Sequence, residues 1–377
     1  MKTNRVAAVL IILLAVVLLA FTGCSKEEEA KVEEKAAVES EAADEPFKAA
    51  FVYIGIPGDL GWTYEHDRGR LAAVEALGDK IETAFVENVP EGPDATRVIR
   101  QLAQQGYKII FTASFGYMDP TLEVAAEYPD VYFEHCSGYK TADNMANYFG
   151  RIYQSRYLSG IVAGAATKTG VIGYVGAFPI PEVVRGINAF TLGVQKTNPD
   201  AVVKVVWTNT WYDPVVEREA AVALLDAGAD VIAQHQDTTE PQKAAAERDV
   251  WSIGYHSDMA KFVGDSVLVS AMWEFSHYYT TRIQAAMDGT WKTQSYWGGL
   301  ADGDVKLSDF SPLVPAEIKD LVMAEQSKIE SGEWDVFNGP VYDQSGAAVI
   351  ADGAVPSDGD LANMSWFVKG VEGSVNQ

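Results

Sequence analysis

From residue 49 the chain alternates between two patterns. Short runs dense in β-branched and aromatic residues are separated by stretches whose apolar positions recur every three or four residues. The first runs are AAFVYIGI (49–56), IETAFVEN (81–88), KIIFTAS (108–114) and VYFEHCS (131–137). Each reads as a buried strand, and helices are predicted near 62–78, 94–105 and 119–128. The stretch NYFGRIYQSRYLSGIVAGAATKTG (147–170) reads as a helix with small residues on one face. A second series follows with strands GVIGYVGAF (170–178), VVKVVWTN (202–209), DVIAQH (230–235) and WSIGYH (251–256). Helices near 181–195, 214–227 and 240–248 separate these. VLVSAMW (267–273) adds a strand, a helix follows near 276–288, and PAEIKDLVMAEQSKIESG (315–332) is the last clear helix before a turn-rich tail. Strand and helix in strict alternation predict an α/β protein built from two mostly parallel sheets flanked by helices. Two sequential series predict two lobes with a ligand cleft between them. The expected division is 48–168 with 257–290 in lobe 1, and 169–256 with 291–377 in lobe 2.

The N-terminus sets the compartment. MKTNR is a basic segment, VAAVLIILLAVVLLAF an apolar core of 16 residues, and TGC a small-residue end before Cys24. That core is short for a membrane span and has the build of an export signal. The expectation is a lipoprotein signal peptide over 1–23, lipid on Cys24 and an acidic tether over 24–47, holding the protein at the outer face of a bacterial membrane. The tether SKEEEAKVEEKAAVESEAADEP has no aromatic residue and cannot bury enough surface to fold alone. With Cys24 acylated, Cys136 has no disulfide partner and reads as a small buried residue. Formal net charge is −24, which disfavours nucleic acid because phosphate binding needs clustered Lys and Arg. The five histidines are scattered without ligand spacing, so no metal and no cofactor are expected.

In open α/β sheets the ligand lies beyond the carboxyl ends of the strands. Those positions carry Asp59, Trp62 and Tyr64; Ser114, Phe115, Tyr117 and Asp119; Phe178 and Glu182; Trp211 and Asp213; Gln236, Asp237 and Thr238; His256, Ser257 and Asp258; and Trp273 and Glu274. The set is rich in aromatics and carboxylates and has no Lys or Arg. Aromatic faces stack on flat rings, and carboxylates accept from amines and ring N–H groups. A flat, N–H-rich, uncharged ligand is expected. Asp213 before Pro214 reads as a helix cap instead. GAATKTG (164–170) lacks the glycine before its Lys that a phosphate loop requires, GVIGYVG lies within a strand, and no nucleophile frame surrounds Ser257. No catalytic residue and no enzyme activity are expected.

The stretches GDLGWTYEHDRG, SFGYMDP, AEYPDVYF, AFPIPEVVRGINAF, TWYDPVVEREAA, AGADVI and SIGYHSDM together resemble the basic membrane protein family. These are purine-receptor-type substrate-binding lipoproteins of ABC importers, and the resemblance spans nearly all of 48–310. It implies a type I periplasmic-binding fold, a purine base or nucleoside as ligand, a membrane permease and ATPase as partners, and a monomer. It implies stacking by Trp62 and Trp211, a base pocket lined by Ser114, Phe115 and Asp119, and a hydroxyl acceptor at Asp258. Two departures stand out. Trp273 occupies the position of a Lys in nucleoside-binding relatives, and QHQDTTEP replaces a Gly-rich turn, bringing Asp237 toward the ligand. Both favour a smaller ligand, adenine first. The candidate ligand-binding set is therefore Trp62, Trp211, Asp237, Asp258, Ser114, Phe115, Asp119, Phe178 and Trp273.

Overall fold

A computed structural model of the chain describes residues 45–376. The expected signal peptide, the lipid site at Cys24 and all but the end of the tether lie outside the described residues. Fifteen strands are arranged in three sheets among the described residues: β1 (Phe47–Tyr53), β2 (Ile81–Val86), β3 (Ile109–Ala113), β4 (Tyr132–Cys136), β5 (Met145–Gly150), β6 (Val171–Gly176), β7 (Val202–Trp207), β8 (Val231–His235), β9 (Trp251–His256), β10 (Val267–Trp273), β11 (Ser295–Gly298), β12 (Val305–Leu307), β13 (Val341–Tyr342), β14 (Ala348–Ile350) and β15 (Val371–Glu372). The helices are α1 (Trp62–Leu77), α2 (Pro93–Gln104), α3 (Met118–Glu127), α4 (Ile152–Ala166), α5 (Pro181–Thr197), α6 (Pro214–Asp226), α7 (Glu240–Glu247), α8 (Ala260–Val263), α9 (Ser276–Met287), α10 (Ala316–Glu330) and α11 (Asp358–Ala362).

The first lobe is a sheet in the order β11-β5-β4-β3-β1-β2, every pair parallel. The second runs β12-β10-β9-β8-β6-β7-β15 and is parallel except for the edge strand β12. Strands β3, β5, β8 and β10 are buried along their whole length and so read as near-continuous apolar runs, whereas β2, β7 and β11 are partly exposed. The two-lobed α/β architecture expected from the sequence is present.

Three expectations change. Residues 147–150 are not helical: MANYFG forms β5, buried along its whole length, and α4 begins only at Ile152. Segment 257–290 does not stay in lobe 1, because β10 hydrogen-bonds to β9 and β12 in the second sheet while α9 packs on α1 of the first. Nor does 291–377 stay in lobe 2, since β11 pairs with β5. The chain thus crosses between lobes at 150–152, 273–276 and 298–305. β5 and β11 lie far apart in sequence, so local periodicity carries no record of their pairing. α4 belongs with the second lobe, where Gly160 approaches the Phe190 carbonyl and Gly193 the Tyr157 carbonyl of the facing helices. A side chain at either position would separate α4 from α5, which explains the small-residue face.

Candidate functional site

Parallel sheets bring the carboxyl ends of β1, β3 and β4 opposite those of β6 to β9. Between them lies a cavity of about 330 Å3 of free space, its mouth included, lined by Ile54, Trp62, Ser114, Phe115, Ser137, Glu182, Trp211, His235, Asp237 and His256.

Trp62 opens α1. Ahead of it Asp59 accepts from the backbone N–H groups of Gly61, Thr63 and Tyr64 at 2.8–2.9 Å, so this carboxylate satisfies the free end of the helix. Burial still pushes the Asp59 pKa up to about 6. The Trp62 indole N–H donates to the Ala113 carbonyl at 2.9 Å, which uses its only polar atom and leaves the ring surface to the cavity. Edge-on contacts with His66, Trp273 and Phe275, at centroid distances of 4.1, 5.6 and 5.9 Å, hold the ring.

Trp211 comes from the second lobe, in the loop after β7. Phe178 meets its ring edge-on at 4.9 Å and supports it from outside the cavity. Asp213 caps α6, accepting from the Val215 and Val216 N–H groups at 3.1 Å. Ser114 and Phe115 end β3 against the cavity, and the Ser114 hydroxyl donates to Glu91 at 2.6 Å.

Asp237 is the buried acceptor, 3% exposed, with its carboxylate 3.3 Å from His256 Nε2. Burial, then the charges of Asp59, Glu217 and Glu182, push its pKa well above the ordinary range. His256 receives the Trp273 indole N–H on Nδ1 at 2.8 Å. An indole can only donate, so Nδ1 is the acceptor and the neutral ring carries its proton on Nε2, toward Asp237. Burial, then the neighbouring His235, Arg156 and His66, hold the His256 pKa well below the usual value, and burial lowers His235 likewise. His256 sits at φ +67°, a left-handed conformation uncommon outside glycine. Glu182, in the first turn of α5, accepts from the Ser137 hydroxyl across the lobes at 2.9 Å and lies 3.5 Å from His235 Nε2.

The cavity therefore gathers Trp62, Ser114, Phe115, Trp211 and Asp237 from the candidate set. Four others stand elsewhere. Asp119 is exposed and pairs with Lys140 at 2.6 Å, because its position on α3 faces solvent. Asp258 lies outside the lining and pairs with Lys261 at 3.3 Å. Trp273 is wholly buried behind Trp62 and His256, so it shapes the wall without touching the cavity. Phe178 is the support described above. Missing from the candidates were His235, His256, Glu182 and Ser137. Glu182 and His256 stand among the strand-end positions without entering the ligand-binding set, and the shared His ending of DVIAQH and WSIGYH is the signal that points to His235.

The architecture has close counterparts. A solute-binding protein from Aeropyrum pernix K1 superposes with a TM-score of 0.69 at 21% identity, over 76% of this chain and 92% of the other. A transcriptional activator of the comK gene from Bacillus halodurans superposes at 0.66 with 22% identity, over 76% and 99%. The family model described as ABC transporter substrate-binding protein, PnrA-like, matches residues 47–334. The chain belongs to this family. Among its relatives, a Brucella abortus protein named as purine-binding is 48% identical, covering 89% of this chain and 95% of its own length. A Haloferax volcanii protein bearing the name ABC transporter glucose-binding protein is 43% identical, over 88% and 82%. As a PnrA-like protein this one is the substrate-binding component of an ABC transporter and works with a permease and ATPase on the extracytoplasmic side. Among the described residues no helix is long and apolar enough to cross a membrane.

Proposed function

We propose that this PnrA-like protein captures a purine, with the free base adenine ahead of a nucleoside, and hands it to its ABC permease. The observation that carries this reading is the pairing of two indole surfaces, one from each lobe, with a buried carboxylate at Asp237 beside the Nε2–H of a neutral His256. A flat heterocycle stacks on the rings, its N–H groups meet Asp237 and Glu182, and a ring nitrogen accepts from His256. The purine-binding name of the Brucella relative supports the same ligand class. Closure of the lobes would exclude water, with Ser137–Glu182 and Ser257–Leu60 as contacts across the cleft. Lipid on Cys24 would keep the protein, as a monomer, beside its permease.

A sugar is the second reading. One relative carries a glucose-binding name, and indoles also stack on sugar rings. None of the ten cavity-lining residues is Arg or Asn, the usual partners of sugar hydroxyls, and this favours the purine. The test is mass spectrometry of whatever copurifies with the whole chain in mild detergent, followed by calorimetric titration of adenine, adenosine and glucose. Adenine binding tighter than the other two is the expected result. Glucose binding without adenine binding overturns the proposal.

A further inference from the structure

Gly186, in the first half of α5, has room that a glycine does not need. The nearest atoms a Cβ there would meet are His235 Nδ1, Tyr174 Oη and Arg156 Nε, at 3.8, 3.9 and 4.0 Å. At Gly160 and Gly193, where α4 and α5 touch, a Cβ would strike a carbonyl oxygen at 2.1 and 2.0 Å. Glycine inside a helix is less favourable than alanine, and at 186 no contact forbids the methyl. The space beside it is about one atom wide, and it is framed by polar atoms.

Those three atoms are buried and have no hydrogen-bond partner among the described residues. Nη1 and Nη2 of Arg156 are unpartnered as well, although the residue is 0% exposed. Its guanidinium stacks on the Tyr255 ring, 3.3 Å from the centroid. A ring face attracts a cation but leaves the in-plane N–H donors unused. A buried charge without a hydrogen-bonded counter-charge is costly. The types of donor decide what fits. Arg156 can only donate, and Tyr174 offers its O–H. His235 is neutral, because burial holds its pKa down. The Tyr255 hydroxyl lies 3.3 Å from His235 Nε2. With Nε2 accepting from Tyr255, the imidazole proton stands on Nδ1 and supplies a third donor. Glu182, the carboxylate beside this imidazole, lies 3.5 Å from Nε2, the other ring nitrogen, and belongs to the aromatic cavity. Converging donors, one of them cationic, call for a negatively charged acceptor. A water molecule would bring two further donors to a site already made of donors. A polyatomic anion exceeds a space that a single Cβ would take, whereas one halide ion fits.

We propose that this pocket in the second lobe binds a single halide ion, chloride in ordinary surroundings, held by Arg156 Nε–H, the Tyr174 hydroxyl and His235 Nδ1–H. His235 also lines the aromatic cavity, so the ion balances Arg156 and fixes the His235 tautomer from behind the cavity wall. The site does not depend on which ring the cavity takes. Thermal melts of the whole chain in mild detergent, without ligand, test it. Chloride or bromide replaces gluconate at constant ionic strength, for wild type, Gly186→Ala and Arg156→Met. The wild-type melting temperature should rise by about 2 °C for each tenfold increase in halide above half-saturation. Gly186→Ala places a methyl in the site and should abolish that rise, as should Arg156→Met. Alanine favours a helix, so the Gly186 variant keeps the test valid should Arg156→Met fail to fold. Crystals of wild type grown in bromide should show an anomalous peak among Arg156, Tyr174 and His235. A wild-type melting temperature indifferent to halide, or no bromide peak at this position, overturns the proposal. An equal halide response in wild type and Gly186→Ala overturns it too, as a general salt effect. None of these results bears on the purine reading, which the ligand titrations decide.

Discussion

Trp211 and Asp237 divide the work at the scale of single residues. Trp211 is half-buried and supported on one edge by Phe178, so truncating it removes a stacking surface with little loss from the core. Base–aromatic stacking contributes about 1–3 kcal/mol, and Trp211→Ala should therefore weaken adenine roughly tenfold to a hundredfold in calorimetry while the melting temperature holds nearly constant. Trp62→Ala should lose affinity and stability together, because its ring is also packed against His66, Trp273 and Phe275. Asp237 opposes stability in the free protein. Its folded pKa lies above the unfolded value, so folding takes up a proton, and the destabilisation grows as pH rises from about 4 through the folded pKa. Asp237→Asn removes that dependence. The variant should gain stability over wild type at neutral pH, with the gain vanishing near pH 4 in thermal melts, and should bind adenine more weakly. Asp119→Ala should leave affinity unchanged, since that carboxylate faces Lys140 and solvent.

Which of these residues could be read from the chain follows from where each signal resides. Ser114, Phe115 and Asp237 follow directly on strand ends, and Trp62 and Trp211 lie in the segments that leave them, where a parallel sheet faces the cleft. Asp119 also follows a strand but sits on the solvent face of α3, and Asp258, partly buried just past β9, pairs with Lys261 instead of lining the cavity. Trp273 ends β10, a strand whose place beside β9 was not legible, and so it falls behind the wall. The roles of His235 and His256 are not legible in the chain, because a histidine's role depends on the groups around its two nitrogens, here Glu182 and the Trp273 indole.

Among the elements, the entry to α1 is where the lobes meet. Gly61 abuts the backbone carbonyl of Asp237, close enough that any Cβ would collide with it. The adjoining Leu60 carbonyl receives the Ser257 hydroxyl. Gly61→Ala should keep the lobes from closing, because a backbone carbonyl cannot yield as a flexible side chain can. The expected outcome is a larger radius of gyration with adenine present, measured by small-angle scattering, together with weaker binding. A radius equal to that of ligand-bound wild type would show that this contact does not govern closure. α4 and α5 show the opposite use of small residues, with glycines permitting permanent contact inside the second lobe.

For the whole molecule, three crossings couple the lobes, and the C-terminal tail packs beside the first of them, where Asp358 pairs with Arg151 and Asp335 accepts from the Tyr153 hydroxyl at 2.8 Å. The tail also adds β15 to the second sheet beside β7. Attachment to a membrane belongs to this scale as well. Cys24→Ser should abolish incorporation of labelled fatty acid and release the protein from the membrane fraction. Retention of both label and membrane association would reject Cys24 as the lipid site.

The sequence by itself determined the succession of strands and helices, the two lobes and the aromatic, carboxylate-rich strand ends, because each of these is expressed by residues adjacent in the chain. Periodicity and the strand-end rule need no knowledge of distant partners. Only the tertiary structure decided that β10 joins the second sheet and β11 the first, that Trp273 stands behind the cavity, and that two histidines and Glu182 complete it. Those outcomes rest on contacts between residues up to two hundred positions apart, where packing and desolvation act on groups that local pattern never brings together.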